Sequence, residues 1–230
     1  MVTVVFFTNR EQRCYTDCIM QVSIFGASGK VGRQVVARLL AADHQVVALI
    51  HRHNPLGEAE NLRIVCGSID NIDAVNQTID GSQAVISTLG SWGSNNKTVV
   101  SSGTAAIISA MKTKGLQRLI TLTGASAFYA ADQPNWLDRA THALLSIVAP
   151  KILKDGEDHL RLLEASGLDW TCIRSPVMTG QASGRYELTD TLPSLLASIP
   201  RSTVAQCLTD QLADSSQRAK APVIRRGGNK

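Results

Sequence analysis

The sequence predicts an α/β protein with a doubly wound parallel sheet, and three observations support this fold class. Short apolar runs rich in β-branched residues alternate with segments of helical periodicity. Three glycines, Gly26, Gly29 and Gly32, lie where the first such run passes into the first such segment. The chain of 230 residues is 44% hydrophobic and 18% charged, as is typical of one folded domain. Because crossovers between parallel strands are right-handed, the ligand crevice is expected at the carboxyl ends of the strands.

The elements follow one another regularly up to residue 173 and less regularly after it. Strands are predicted at 21–25, 45–50, 62–66, 84–87, 119–122 and 170–173. Helices are predicted at 30–42, 72–79, 98–114 and 152–165, with Asp70 and Asn71 as candidates to cap the second. The looser remainder predicts a strand at 186–188, a helix at 202–212 and a strand at 222–224. We expect this last part to form a small C-terminal lobe on the substrate side.

The two ends of the chain are expected to lie outside the fold. Residues 1–19 have no periodicity that would let them join the sheet, and Met20 directly precedes the first strand. We interpret 1–19 as an N-terminal appendage, consistent with translation from a start upstream of Met20. Residues 20–224 are expected to form one domain, and 225–230 a flexible basic tail.

Charge, cysteine content and hydropathy limit the partners. The net charge of +4 is mild and no dense Lys/Arg face appears, so we expect an anionic small ligand and no nucleic acid. Five irregularly spaced cysteines are typical of a cytoplasmic protein, not of a disulfide framework. No apolar run approaches the roughly 20 residues of a membrane span. His51 and His53 alone do not predict a metal site. We expect a monomer or a weak dimer.

The glycine loop at 26–32 predicts a site for a dinucleotide. Gly26 lets the chain leave the strand in a backbone geometry closed to other residues. Gly29 has no Cβ, so a pyrophosphate can approach the backbone, and Gly32 lets the helix pack closely on the strand. The start of the helix then offers N–H donors and a partial positive charge to the phosphates. A tight turn without a ligand is the alternative.

The residues after the second strand favour NADP(H) over NAD(H). NAD-binding proteins place an acid here to accept the ribose 2′-hydroxyl, but residues 51–54 read His-Arg-His-Asn. The guanidinium of Arg52 suits a 2′-phosphate, and Arg33 can add to the same positive pocket. The alternative is that Arg52 is a solvated charge at a strand end.

The segment 26–32, Gly-Ala-Ser-Gly-Lys-Val-Gly, resembles the glycine loop of the atypical short-chain dehydrogenase/reductases. The most similar group is the NAD(P)H-binding proteins related to flavin/biliverdin-IXβ reductase and the NmrA-like regulators. The resemblance covers residues 20–224 and implies a Rossmann-type domain. Its further segments, in chain order, are 67–70 (GSID), 87–90 (STLG), 122–125 (LTGA), 166–171 (SGLDWT) and 174–176 (RSP).

The resemblance implies a role for each of these segments. The pyrophosphate would lie on Ser28, Gly29, Lys30 and Val31, and Ile69 and Asp70 would border the adenine, with Asp70 accepting from its amino group. Thr88, Leu89 and Gly90 would line the middle of the cofactor. The nicotinamide would lie between Thr123 and Gly124 on one side and Pro176 and Val177 on the other. Plain core packing is the favoured alternative for Ile69 and Leu89.

The chain lacks the Tyr-x-x-x-Lys pair with which many short-chain dehydrogenases move a proton. Four residues after Tyr15, Tyr129 and Tyr186 stand Ile19, Gln133 and Asp190. Two residues remain as catalytic candidates. Lys154 falls where the family often has a lysine and could bind ribose hydroxyls, or be a solvated helix charge. Ser126 could present a hydroxyl to a substrate.

Two function classes follow from this pattern. Reduction of an isolated ketone needs an acid, whereas flavins, quinones and linear tetrapyrroles delocalise the charge of an added hydride. The first hypothesis is therefore an NADPH-dependent reductase of a conjugated acceptor, whose pocket would involve residues 90–96 and 123–149. The second is a non-catalytic NADP(H)-binding sensor like the NmrA-like regulators. An isomerase or lyase that uses bound cofactor is a third.

Overall fold

A computed structural model describes residues 19–92, 94–180, 184–194 and 196–228. The predicted N-terminal appendage, apart from Ile19, lies outside the described residues. The strands are β1 (Gln21–Phe25), β2 (Gln45–Ile50), β3 (Leu62–Cys66), β4 (Ala84–Ser87), β5 (Arg118–Gly124), β6 (Asp169–Ser175), β7 (Val177–Thr179), β8 (Tyr186–Thr189), β9 (Ser198–Pro200) and β10 (Val223–Arg226). The helices are α1 (Gly32–Ala41), α2 (Ile72–Ile79), α3 (Val99–Lys114), α4 (Trp136–Val148), α5 (Pro150–Glu164) and α6 (Arg201–Asp210).

Eight strands form the main sheet, in the order β3-β2-β1-β4-β5-β6-β10-β8. All neighbours are parallel except β8, which pairs antiparallel with β10. The strand order reverses direction between β1 and β4, so the crevice of a doubly wound sheet opens there. The predicted fold class is confirmed.

Apolar layers cover both faces of the sheet. One layer joins the strands to α2, α3 and α5, with Val75, Ile107 and Leu160 among its buried members. The other joins them to α1 and α6, with Val35 and Leu208 fully buried. Strands covered on both sides explain why runs such as 45–50 are apolar without polar alternation. This packing fixes the carboxyl edge, where the loops meet.

Several boundaries differ from the sequence-based expectation. The first helix begins at Gly32 and not at residue 30, because Gly29 N donates to Gly26 O and residues 29–31 still belong to the turn. β5 and β6 run on to Gly124 and Ser175, which remain in register with each other. Helix α4 and strands β7 and β9 were missed by sequence reasoning.

The C-terminal part is built into the body more than predicted. β8 and β10 extend the main sheet, and only β7 and β9 form a separate two-stranded sheet. The prediction that a flexible tail begins at residue 225 is wrong, because Arg225 and Arg226 belong to β10. Arg225 pairs there with Glu187 of β8 at 2.9 Å, and Arg226 Nε donates to Ser198 O.

Candidate functional site

The glycine loop lies directly against the loop that follows β4. Gly26 has φ +77°, and a Cβ there would lie 2.8 Å from Thr88 O and 2.9 Å from Leu89 N. A Cβ on Gly32 would lie 2.2 Å from Gly26 O. Thr88 Oγ1 donates to Gly26 O at 3.1 Å and so fastens the two loops together. Gly26 therefore has the positive φ that was predicted for it and is also required by the close approach of Thr88 and Leu89, and Gly32 is required by close packing of α1 on the loop.

Gly29 differs from these two because its outer side is open. A Cβ there would lie 3.1 Å from Gly26 O and near no other heavy atom of the described residues. No side chain caps α1, whose N-cap residue is Val31, and its first turn carries no acid. The positive end of α1 is thus left without an internal anion, which suits a phosphate. Val31 itself is a core residue, so only its backbone can serve a ligand.

Three exposed cations lie at the ends of β1 and β2, which are neighbours in the sheet. Lys30 and Arg33 belong to the glycine loop and the start of α1, and Arg52 follows β2. None of them forms an ion pair with another described residue. Exposed cations that have no carboxylate partner among the described residues can attract an anionic ligand.

The sequence offered both Asp70 and Asn71 as candidates to cap the second helix, and the loop after β3 distinguishes them. Asn71 caps α2, and its side chain accepts from Asp73 N and Ala74 N. The exposed carboxylate of Asp70 accepts a 3.3 Å hydrogen bond from Ser68 Oγ and none from any other described residue, which leaves it available for a ligand. Ile69 packs on the core, as does Leu89.

Gly103 of α3 explains how Ile69 and Leu89 fit together. A Cβ on Gly103 would lie 2.6 Å from Leu89 Cδ1 and 3.0 Å from Ile69 Cγ1. Both side chains therefore fill the space that this glycine leaves on α3. This packing is the role we favoured for both residues from the sequence.

A buried carboxylate on α5, missed by sequence reasoning, organises the loop after β4. Asp155 is 1% exposed and accepts from Ser91 Oγ at 2.5 Å. It also accepts from Val100 N and Ser101 N, and so caps α3 in place of Thr98. Nothing in the sequence distinguishes Asp155 from the exposed acids around it.

The ends of β5 and β6 are adjacent and place the predicted nicotinamide residues together. Thr123 and Gly124 pair in register with Arg174 and Ser175. Pro176 and Val177 follow directly, and Val177 is 64% exposed. Helix α5 approaches this point at Gly156, where a Cβ would lie 3.0 Å from Thr123 Oγ1.

A buried ion pair fixes the loop that follows β5. Arg174, 1% exposed, is bidentate to Asp132, with Nη2 2.7 Å from Oδ1 and Nη1 2.5 Å from Oδ2. It also donates to Ala127 O at 3.3 Å and to Ala221 O at 2.6 Å. Asp132 in turn accepts from Tyr129 N. Arg174 thus ties β6 to the loop that would face an acceptor.

The two catalytic candidates lie in different surroundings. Ser126 is part of the loop after β5 and is half-buried. Its hydroxyl has no hydrogen bond to another described residue. The Nζ of Lys154 lies 3.0 Å from Asp158 one turn later on α5, and its side chain is 70% exposed. Lys154 therefore lies on the solvent side of α5, away from the buried residues Gly156 and His159.

The tyrosine hydroxyls of the described residues are occupied elsewhere. Tyr129 Oη donates to Ala219 O at 3.3 Å, and Tyr186 Oη donates to Asp210 at 2.7 Å. Burial raises the pKa of Tyr129 and of Tyr186, so both hold their protons more firmly than a free phenol. The hydroxyl partners of both tyrosines are thus a backbone carbonyl and a carboxylate.

A buried histidine on α5 is structural. His159 Nδ1 lies 2.8 Å from Thr104 Oγ1, and Nε2 lies 3.0 Å from Thr121 Oγ1. Burial lowers the pKa of His159 to about 4, so the ring is neutral near pH 7. It joins α3, α5 and β5 behind the site. Within the described residues no three metal-binding side chains come together.

The profile of the NAD(P)H-binding family matches residues 26–215, and the chain belongs to this family. An uncharacterized protein of Mycobacterium tuberculosis is 32% identical over 101 residues, which are 44% of this chain. The match covers only 12% of that relative's length. The match with an uncharacterized protein of Mycobacterium bovis has the same extent.

Solved structures share the fold over nearly the whole chain. A short-chain dehydrogenase/reductase from Veillonella parvula, in complex with NADP, has a TM-score of 0.74 at 20% identity and covers 92% of this chain and 96% of its own. An oxidoreductase from Lactococcus lactis has a TM-score of 0.75 at 18% identity, with 91% and 92% covered. A Streptococcus pneumoniae protein provisionally named an NADH-flavin reductase has a TM-score of 0.70 at 19% identity, with 90% and 100% covered.

These comparisons confirm the resemblance seen in the sequence. The chain has the fold of the short-chain dehydrogenase/reductases and belongs to a family that binds NAD(P)H. No helix of the described residues is both long and apolar enough to cross a bilayer.

Proposed function

We propose that this protein is a reductase that uses NADPH to deliver hydride to a conjugated acceptor of flavin, quinone or tetrapyrrole type. One observation carries the choice of NADPH: Lys30, Arg33 and Arg52 are exposed at the ends of two neighbouring strands and have no carboxylate partner among the described residues. A 2′-phosphate on the adenosine ribose would supply the missing negative charge.

The residues at the carboxyl edge would hold the cofactor in order along the crevice. The backbone of 28–31 and the start of α1 would bind the pyrophosphate, and Asp70 would accept from the adenine. Residues 88–90 would line the middle. Thr123 and Gly124 would lie beside the nicotinamide, with Pro176 and Val177 opposite. When bound, NADPH supplies the hydride, and the chain binds and orients both reactants.

The proton inventory supports a conjugated acceptor. Tyr129 and Tyr186 are occupied by structural hydrogen bonds, and no described tyrosine has a lysine partner. Ser126, in the loop after β5, is the hydroxyl we assign to contact with the acceptor. Lys154 is the candidate for ribose binding. An acceptor that delocalises the added charge can take its proton from solvent and needs no stronger acid.

The second candidate is an NADP(H)-binding sensor without turnover. The hydrogen bonds that occupy the hydroxyls of Tyr129 and Tyr186 agree with it, since a sensor needs no proton donor. A sensor needs the cofactor half of the crevice but no acceptor chemistry. Both candidates therefore share the same nucleotide residues.

The test is NADPH oxidation followed by absorbance against a panel of flavins, quinones and linear tetrapyrroles. Turnover with at least one member, abolished by Gly29→Val, supports the reductase. Calorimetry of NADPH, NADP, NADH and NAD on the same preparation identifies the sensor. Tight binding of one redox state without turnover across the panel would favour the second candidate, and no binding of any form would exclude both.

A further inference from the structure

Helix α4 carries a wide apolar face that no described residue covers. None of its residues is buried. Trp136 is 79% exposed, Leu137 53%, Leu144 50%, Ile147 79% and Val148 69%. At 100° per residue these five side chains fall on one side of the helix together with the exposed alanines 140 and 143. We call this set of seven residues the α4 apolar face.

The opposite side of α4 is attached to the body by polar and aromatic contacts. His142 Nε2 lies 2.7 Å from Glu157 Oε1 on α5. The His142 ring stacks on Phe128, with centroids 4.2 Å apart. Asn135 and Asp138 form a capping box that fixes the start of the helix. The α4 apolar face is therefore held toward solvent, and the helix cannot simply roll over to bury it without losing these contacts.

We propose that the α4 apolar face is an interface with a second copy of this chain, in which two α4 helices pack antiparallel about a twofold axis. The order of side-chain sizes supports this partner. Large residues stand at both ends of the face, Trp136 at the start and Ile147 at the end, with Ala140 and Ala143 between them. In an antiparallel pair centred between the alanines, Trp136 of each copy lies opposite Ile147 of the other, and Ala140 opposite Ala143. The small centre allows a close approach that the large ends then cover.

The size and charge of the face agree with a twofold interface. Each of its five large side chains is at least half exposed, and together they could supply a part of the about 800 Å² that each partner buries in a standard interface. No member of the face is charged, so two copies meet without like-charge repulsion. The antiparallel arrangement also places each helix start beside the partner's helix end, where the dipoles attract. A lipid surface fits less well, since the polar side of α4 has Arg139 as its only lysine or arginine.

Sedimentation velocity of the full chain over about 1–100 µM tests the proposal. Wild type is expected to sediment as a dimer in the upper part of this range. Ile147→Glu buries an unpaired carboxylate at both ends of the interface and is expected to weaken association at least tenfold. Ser146→Glu is the matched control, because it places the same charge on the same helix outside the face and should leave the dimer intact. Thermal melts confirm that both variants are folded.

Three results would overturn the proposal. If wild type stays monomeric throughout the range, a second copy is excluded as the occupant of the face. This holds also if the monomer binds lipid vesicles, or if the chain self-associates only after removal of residues 1–19. A dimer that survives Ile147→Glu as well as wild type uses another surface. Equal weakening by Ser146→Glu would show a general charge effect. None of these results depends on whether the protein turns over NADPH.

Discussion

At the ends of β1 and β2, the cations Lys30, Arg33 and Arg52 are exposed and unpaired among the described residues, whereas at the ends of β5 and β6 Arg174 is buried against Asp132. The first half of the carboxyl edge leaves its charges for an external anion. In the second half the charged groups are paired within the protein. The carboxylate of Asp155 likewise accepts hydrogen bonds from Ser91 Oγ and Ser101 N and so holds the loop after β4. Following the roles proposed above, we call the first the nucleotide half and the second the acceptor half; the loops of the second are held by their own polar contacts.

The largest effect is expected in the nucleotide half, when a side chain fills the open side of the glycine loop. Gly29→Val places a branched side chain on the open side of the loop, where we expect the pyrophosphate. NADPH binding should fall beyond detection by calorimetry, a loss of more than about 4 kcal/mol or three orders of magnitude. The fold should survive, since among the described residues only Gly26 O lies near the added Cβ. Ala37→Val, on the exposed side of α1, is the control and should bind normally. Unchanged affinity in folded Gly29→Val would refute this site.

A substitution in the acceptor half should first lower the free energy of unfolding. Asp132→Asn leaves the buried guanidinium of Arg174 without its counter-charge, which typically costs about 3–5 kcal/mol. Chemical denaturation measures the change. Asp80→Asn, which breaks the exposed pair with Lys114 at 2.6 Å, is the control and should change stability little. Unchanged NADPH binding by the folded Asp132→Asn protein would show that the two halves are independent. A loss of NADPH binding that accompanies the loss of stability would show that the Asp132–Arg174 ion pair also shapes the nucleotide half.

The nucleotide half was more predictable from the sequence than the acceptor half. Gly26, Gly29 and Gly32 act through backbone geometry at fixed spacing, so a local pattern was enough to find them. The buried ion pair joins Asp132 to Arg174, residues 42 positions apart, and no local pattern reveals such a pair. Helix α4 lies within residues 123–149, for which only a role in the acceptor pocket was expected, although its apolar residues recur at helical spacing.

The ends of the strands also differ in how well the sequence predicts them. The strands β1 to β4 begin and end where predicted, because glycine and polar turns delimit them sharply. β5 and β6 are longer than predicted, since Gly124 and Ser175, which are not favoured in strands, continue the pairing. Tertiary pairing, not local sequence, sets these ends.

The positive pocket is tested by cofactor preference. A charge-assisted hydrogen bond contributes roughly 1.5–3 kcal/mol, so Arg52→Ala should weaken NADPH by one to two orders of magnitude and leave NADH nearly unchanged. Because Arg33 can share the phosphate, the double variant Arg33→Ala with Arg52→Ala should remove the preference entirely. Arg63→Ala is a suitable control, since Arg63 lies on β3 and donates to Gln77 O. Equal binding of NADH and NADPH by wild type would show that Arg52 serves another purpose.

The smallest effects should separate the two catalytic candidates. The hydroxyl of Ser126 has no partner among the described residues, so an acceptor could receive its hydrogen bond. Such a neutral bond is worth about 0.5–1.5 kcal/mol, and Ser126→Ala should lower kcat by up to about tenfold without changing the Kd for NADPH. Lys154→Ala should have the smaller effect on kcat, because the ammonium already pairs with Asp158 on the solvent side of α5. Its loss should appear in the Kd for NADPH only if the side chain leaves Asp158 to reach the ribose. A larger fall in kcat for Lys154→Ala than for Ser126→Ala would reverse these roles and show that α5, not the loop after β5, meets the acceptor.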